Sequence, residues 1–260
     1  MNTPSNQDIP RKVAASQGFR WVATGFRLYR KNPLLLSAAF GLLFGVVMAL
    51  GLVPMVGDSL SELASPLMVA GFMAAYRALD EGRELELPDF LAGVRGPIIP
   101  LMTLGAVQLL GMLVISRIML AMGFDPQAVM AAARGGEASQ AEMQAMMNQA
   151  TPALLTGLAL LTPLLMATWF APALVLFGGA RPATALGVSL KAVARNWAPM
   201  LTNSIALGLL LLVAALVPLL LGLLVAMPVL FGSLYASYQA IFAVWSDEVP
   251  APDQAGDSLA

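Results

Sequence analysis

The sequence predicts an all-α membrane protein: a six-helix transmembrane bundle built from three repeats of an amphipathic cytoplasmic helix followed by two spanning helices. Three observations carry this expectation. The chain of 260 residues is 58% hydrophobic and only 11% charged, with a mean hydropathy of +0.78. Soluble domains carry about 25% charged residues, so polar groups here cannot cover a globular surface. Six stretches are apolar over the roughly 20 residues that a helix needs to cross a bilayer: 34–54, 59–79, 97–121, 152–178, 199–217 and 219–245. The third observation is that prolines, small residues and basic residues recur in the same order three times.

The elements follow in chain order. Met1 to Pro10 is polar and the first apolar run starts at Leu34, so no signal peptide is expected and the first span itself directs insertion. Residues 16–31 read as a helix with Arg20, Thr24, Arg27 and Lys31 along one stripe and Phe19, Val22, Phe26 and Tyr29 along the facing one. A basic face opposite an apolar aromatic face describes a helix lying in the membrane interface. Asn32-Pro33, Gly96-Pro97 and Thr151-Pro152 each put a capping or permissive residue before a first-turn proline. Ser59 with Glu62, and Ser139 with Glu142, have capping-box spacing. Met200 to Trp245 is too long for one span, and Pro218 is the expected turn.

Lys and Arg set the orientation. Twelve of the 14 basic side chains fall on one side of the predicted spans, in the segment before the first span and in the second and fourth connections; only Arg117 and Arg134 fall on the other. The basic side, with both termini, is therefore expected in the cytoplasm of a bacterial inner membrane.

The repeat rests on aligned columns. With Pro66, Pro163 and Pro228 superposed, Ala70, Ala167 and Gly232 coincide, as do Ala74, Ala171 and Ala236, then Ala78, Val175 and Ala240. Upstream, Phe26, Phe90 and Leu190 align, then Lys31, Arg95 and Arg195, then Asn32, Gly96 and Asn196. The chain then reads as one membrane domain over 1–260, with repeats at about 16–80, 85–178 and 183–245. The second holds an outer-loop insertion at 123–150, and 246–260 is a disordered cytoplasmic tail.

Composition excludes much chemistry. With no Cys and no His, disulfides, thiolate nucleophiles, thiolate metal sites and imidazole bases are ruled out. No metal site, cofactor or nucleic-acid partner is expected. Met130, Met143, Met146 and Met147 in the outer loop could in principle hold Cu(I), but 16 Met are spread through the chain and packing explains them. No Asp, Glu, Lys or Arg lies central in a predicted span, which argues against a proton- or ion-coupled carrier.

Three candidate features remain. Arg20, Arg27, Arg30, Lys31, Arg95, Lys191 and Arg195 either contact anionic lipid or only enforce topology. Gly41, Gly45, Ala74, Ala171, Gly232 and Ala236 allow close helix packing, within one chain or between two copies. Pro66, Pro163 and Pro228 are expected to kink the returning spans.

Gly25 to Pro33, with the sequence GFRLYRKNP, the stretch Ala70 to Leu85, and Tyr235-Ala236-Ser237-Tyr238 resemble an uncharacterised family of bacterial integral membrane proteins common in proteobacteria. More distantly, the pattern is similar to the membrane domain attached to some bacterial glycerophosphodiester phosphodiesterases, without their catalytic domain. The resemblance implies an inner-membrane location and supplies no catalytic residues. The function expected is that of a non-enzymatic structural or accessory protein acting on lipids or a partner membrane protein, with a possible homo-oligomer. The alternative is a pore or a lipid or small-molecule transporter.

Overall fold

The computed structural model describes residues 10–125, 140–218 and 221–242. Among these the chain is helical throughout its regular structure. The helices are α1 (Gln17–Tyr29), α2 (Pro33–Gly51), α3 (Gly57–Asp80), α4 (Leu87–Phe90), α5 (Ala92–Arg95), α6 (Ile98–Ala121), α7 (Gln140–Thr168), α8 (Ala171–Gly178), α9 (Pro182–Arg195), α10 (Trp197–Ala215) and α11 (Leu223–Phe242). Among the described residues, five stretches are long and apolar enough to cross a membrane: α2, α6, Ala150–Gly178 (the apolar part of α7 together with α8), α10 and α11. The predicted span 59–79 lies in α3, which has 24 residues but carries Asp58, Glu62, Arg77 and Asp80 and is not among the five. The tail 246–260 and the centre of the 123–150 insertion lie outside the described residues.

Local signals explain most boundaries. Asn32 caps α2, its side chain accepting the Leu35 N–H at 3.3 Å, with Pro33 at the first helical position. Pro218 falls between α10 and α11. Two capping expectations fail. Thr151-Pro152 starts no helix, because α7 runs through both. The carbonyl whose helical N–H Pro152 removes belongs to Asn148, which is exposed. Helix α3 begins at Gly57, ahead of Ser59, because Met55 takes a positive φ of 69° and turns the chain there. Ser139 lies outside the described residues.

The described chain forms two compact units, one from Met1–Gly41, Phe72–Phe90 and Lys191–Ala260, the other from Leu42–Gly71 and Leu91–Leu190. In the first, α11 is the central helix: 67% of its apolar window is buried. Phe231 of α11 stacks on Phe72 at 4.5 Å, and Phe72 meets Phe90 edge-on at 5.3 Å. Pro228 removes the N–H that the Leu224 carbonyl would take, and the Ser37 hydroxyl of α2 donates to that carbonyl at 2.8 Å instead. Tyr29 Oη lies 2.9 Å from the same hydroxyl. Tyr76 donates to the Pro228 carbonyl, and Ser233 to Asn203 Oδ1 at 2.7 Å.

In the second unit, helices approach closely at glycines, against backbone at Gly105 and against a methionine side chain at Gly157. A Cβ on Gly105 of α6 would lie 2.8 Å from the Glu62 carbonyl, which is the one that Pro66 leaves unpaired in α3. A Cβ on Gly157 of α7 would lie 2.5 Å from Met119 Sδ. The long returning span does not break at Pro163. It passes that residue as helix and breaks at Trp169–Phe170. Pro172, in the first turn of α8, has no N–H for the Thr168 carbonyl, which is the last residue of α7.

Candidate lipid-facing site

Helix α1 carries the candidate surface, and its two faces differ. Gly18, Trp21, Gly25, Leu28 and Tyr29 are buried. A Cβ on Gly18 would run into Thr202 Oγ1 and the Pro199 carbonyl of α10. A Cβ on Gly25 would lie 2.5 Å from Ser233 N and 2.7 Å from the Val229 carbonyl of α11. Gly232 answers it: a Cβ there would lie 2.8 Å from Gly25 Cα. The helix is thus seated backbone to backbone. Its outward face presents Phe19, 55% exposed, and Phe26, 45% exposed, with Arg20, Arg27 and Arg30 exposed beside them.

Of the predicted apolar stripe, Val22 is half-buried and Tyr29 is buried. Phe19 and Phe26 face out, and the seated face is built on glycine. Trp21, Leu28 and Tyr29 are buried on the same side, while Gly18 and Gly25 let the backbone approach α10 and α11 more closely than side chains would allow.

The other basic residues divide. Lys31 Nζ donates to the Leu79 carbonyl at 2.5 Å, in the last turn of α3, where a cation suits the helix terminus. Arg95 ends α5, and Lys191 and Arg195 lie on α9; all three are exposed. In the connection after α3, Arg77 and Arg83 bracket Glu81 at 2.7 and 2.9 Å, and Arg83 also reaches Asp89 at 3.6 Å. The Arg83 hydrogen bond, aided by Arg77, holds the Glu81 carboxyl below the usual carboxylate range.

Of the small residues, Ala171, Gly232 and Ala236 are buried and Ala74 is half-buried. Gly41 touches only the Leu224 side chain, at 3.6 Å, and Gly45 has nothing within 4 Å of a Cβ. Pro66 and Pro228 are buried, and Pro163 is exposed. Among the described residues no group of three or more acidic residues is placed to hold a metal ion. Met130, and the side chains of Met143, Met146 and Met147, lie outside the described residues.

Several structural residues have no forewarning in the helix pattern. Asn196 caps nothing with its side chain. It clasps the N-terminal strap, accepting from Val13 N–H and donating to the Arg11 carbonyl, each at 2.9 Å. Thr202 donates to the Ala15 carbonyl at 2.6 Å, and Arg11 N–H to the Ile241 carbonyl at 2.7 Å. Gly18 and Gly25 did leave a signal: with Trp21 and Leu28 they recur at helical spacing along one face. Glu62 Oε1, Trp21 Nε1, Trp169 Nε1 and Asn203 Nδ2 are enclosed without a hydrogen-bond partner among the described residues.

Fold and surface together define a multi-pass, all-helical membrane protein. The chain is 30% identical, over 260 aligned positions, to a probable inner membrane protein of Burkholderia thailandensis, with 92% of this chain and 96% of that one covered. It belongs to that family of inner membrane proteins. No family model matches it, and no solved structure matches it.

Proposed function

We propose that this is a six-span, non-enzymatic inner-membrane protein that engages anionic lipid on the cytoplasmic face through the outward side of α1. The observation that carries the reading is the seating of α1. With Gly18 and Gly25 pressed on α10 and α11, the helix cannot roll, so Phe19, Phe26, Arg20, Arg27 and Arg30 stay presented outward. Apolar rings such as Phe19 and Phe26 bury at the headgroup–acyl boundary, and each basic side chain near an anionic surface contributes about 1 kcal/mol.

The test uses the full chain in nanodiscs of neutral lipid doped with phosphatidylglycerol, with retained lipids counted by native mass spectrometry. R20Q/R27Q/R30Q should lower retention of the anionic lipid by about 100-fold at low salt, as three such contacts imply. An unchanged count refutes the reading.

Six crossings and cytoplasmic termini belong to this reading. At 24 residues α3 reaches about 36 Å as helix, enough to cross. The Arg11–Ile241 backbone bond brings the N-terminal strap to the end of the last span, which supports an even number of crossings. The 12-to-2 basic asymmetry supports the inward orientation.

Three repeats also belong to it. In the repeat register each leading helix meets the returning span of the copy before it, just past the aligned proline, and the first meets the last. Gly25 of α1 sits on Val229 of α11, Gly93 of α5 on the Leu67 carbonyl of α3, and Ser189 of α9 on Met166 and Phe170. Gly41 and Gly105, which share a column, sit beside Leu224 and Glu62, each one turn before its proline. In this reading the likeness to the phosphodiesterase membrane domain is one of scaffold, not activity. Single cysteines at Lys31, Arg95 and Arg195 should all label from the cytoplasmic side with an impermeant maleimide; one labelling from outside breaks the repeat.

A second reading, a pore or lipid transporter, is favoured by the broken span, since interrupted helices often line transport sites. Flux of neutral solutes or lipid analogues in proteoliposomes, absent from protein-free vesicles, would establish it.

A further inference from the structure

We infer that the interruption at Trp169–Phe170 is a two-state hinge, held broken by the Ser189 hydroxyl. Met166 and Phe170 stand four residues apart, so in an unbroken helix the Phe170 N–H would donate to the Met166 carbonyl. Here Ser189 Oγ stands between them. It accepts from Phe170 N–H at 3.0 Å and donates to the Met166 carbonyl at 2.8 Å. Ser189 is fully buried. A side chain inserted into the hydrogen-bond ladder is a recognised cause of a break, and this one comes from a different helix, α9.

The alternative state strands no polar group. If Ser189 withdraws, Phe170 N–H and the Met166 carbonyl pair directly. The hydroxyl then turns to its own carbonyl one turn back, at Ala185, as four threonines of this chain already do: Thr103 to Ile99 at 2.8 Å, Thr156 to Pro152 at 2.9 Å, Thr162 to Leu158 at 2.8 Å and Thr168 to Leu164 at 3.0 Å. Both states therefore avoid the penalty that usually forbids rearranging backbone in a membrane. Pro172 softens the same turn, since the Thr168 carbonyl lacks its N–H in either state.

The moving part is defined as well. Gly179, with φ of 61°, ends α8, and Ala180 N–H bonds back to the Leu174 carbonyl at 3.2 Å. A tight turn thus leads directly into α9, which carries the latch. Opening the latch moves α8 and α9 together against α7.

The test exploits the absence of cysteine. Spin labels go on cysteines replacing Leu158 of α7, 61% exposed, and Ala183 of α9, also exposed. Pulsed electron resonance on the full chain in nanodiscs reads the distance. The otherwise native chain should give one dominant distance. Ser189→Ala should add a second, resolved peak, and Ser189→Thr, which keeps the hydroxyl, should restore the first. The hinge is overturned if Ser189→Ala gives the native distribution, if Ser189→Thr behaves like Ser189→Ala, or if Ser189→Ala fails to fold, since the break is then a fixed support.

Discussion

Two short helices dock on returning spans by opposite means. Helix α1 meets α11 by subtraction: Gly25 and Gly232 remove their side chains and let two backbones touch. Helix α9 meets the broken α7–α8 span by insertion: Ser189 puts a hydroxyl where a backbone bond would be. A seat made by subtraction tolerates no added atom, because the atoms in the way are backbone and cannot yield. A seat made by insertion tolerates changes of shape but depends on one donor and acceptor.

The largest effect should come from filling the glycine seat. Gly25→Val puts a branched side chain against Ser233 N and the Val229 carbonyl. We expect a loss of about 3 kcal/mol or more, the upper range for overpacking, seen as a large drop in thermal midpoint in detergent. A midpoint within a degree or two of the native one would show that α1 can shift, and the contrast with α9 would fail. Next comes Ser37→Ala, which strands the Leu224 carbonyl left unpaired by Pro228. It should cost about 1–3 kcal/mol, whereas Pro163→Ala, at an exposed site, should be neutral or stabilising. Equal losses would mean that the two prolines do the same job.

Gly45→Ala sharpens the comparison from the other side. Nothing lies within 4 Å of its Cβ, so stability should change by no more than about 0.5 kcal/mol. A loss comparable to that of Gly25→Val would reveal a second copy packed there. The smallest effect is electrostatic. The folded-state carboxyl of Glu81 titrates below its unfolded value because Arg83 and Arg77 hold it charged. Its contribution is therefore complete above about pH 4.3, the unfolded value, and fades as pH falls through the lower folded one. Glu81→Gln should cost a few tenths of a kcal/mol at neutral pH, and the difference in midpoint should vanish on acidification; a difference that grows in acid contradicts the sign.

Much of the architecture was legible because it is local. Five of the span positions, the Asn32 cap and the Pro218 division depend on residues within a turn or two of one another. The seated face of α1 was not foreseen, because a hydrophobicity pattern ranks side chains by what they bury, and Gly18 and Gly25 contribute by burying nothing of their own. Asn196 and Ser189 were illegible for another reason: the backbone groups they serve, at Arg11, Val13, Met166 and Phe170, are brought to them by tertiary structure. The basic outward face of α1 was readable as composition, but which of its members remain available was not. Lys31 is engaged at the end of α3, which nothing near it in the chain announces.

The seat of α1 also has a consequence for how the protein is made. Helix α1 leaves the ribosome well before α11, which completes its seat and is the last helix described. At ordinary synthesis rates the wait is on the order of tens of seconds. During it, Gly25 lacks the Ser233 and Val229 backbone it sits against, and the first helix stands without its groove. A chain stopped before Leu223 keeps that face uncovered permanently, so an unfinished product carries at its start a mark of what is missing at its end.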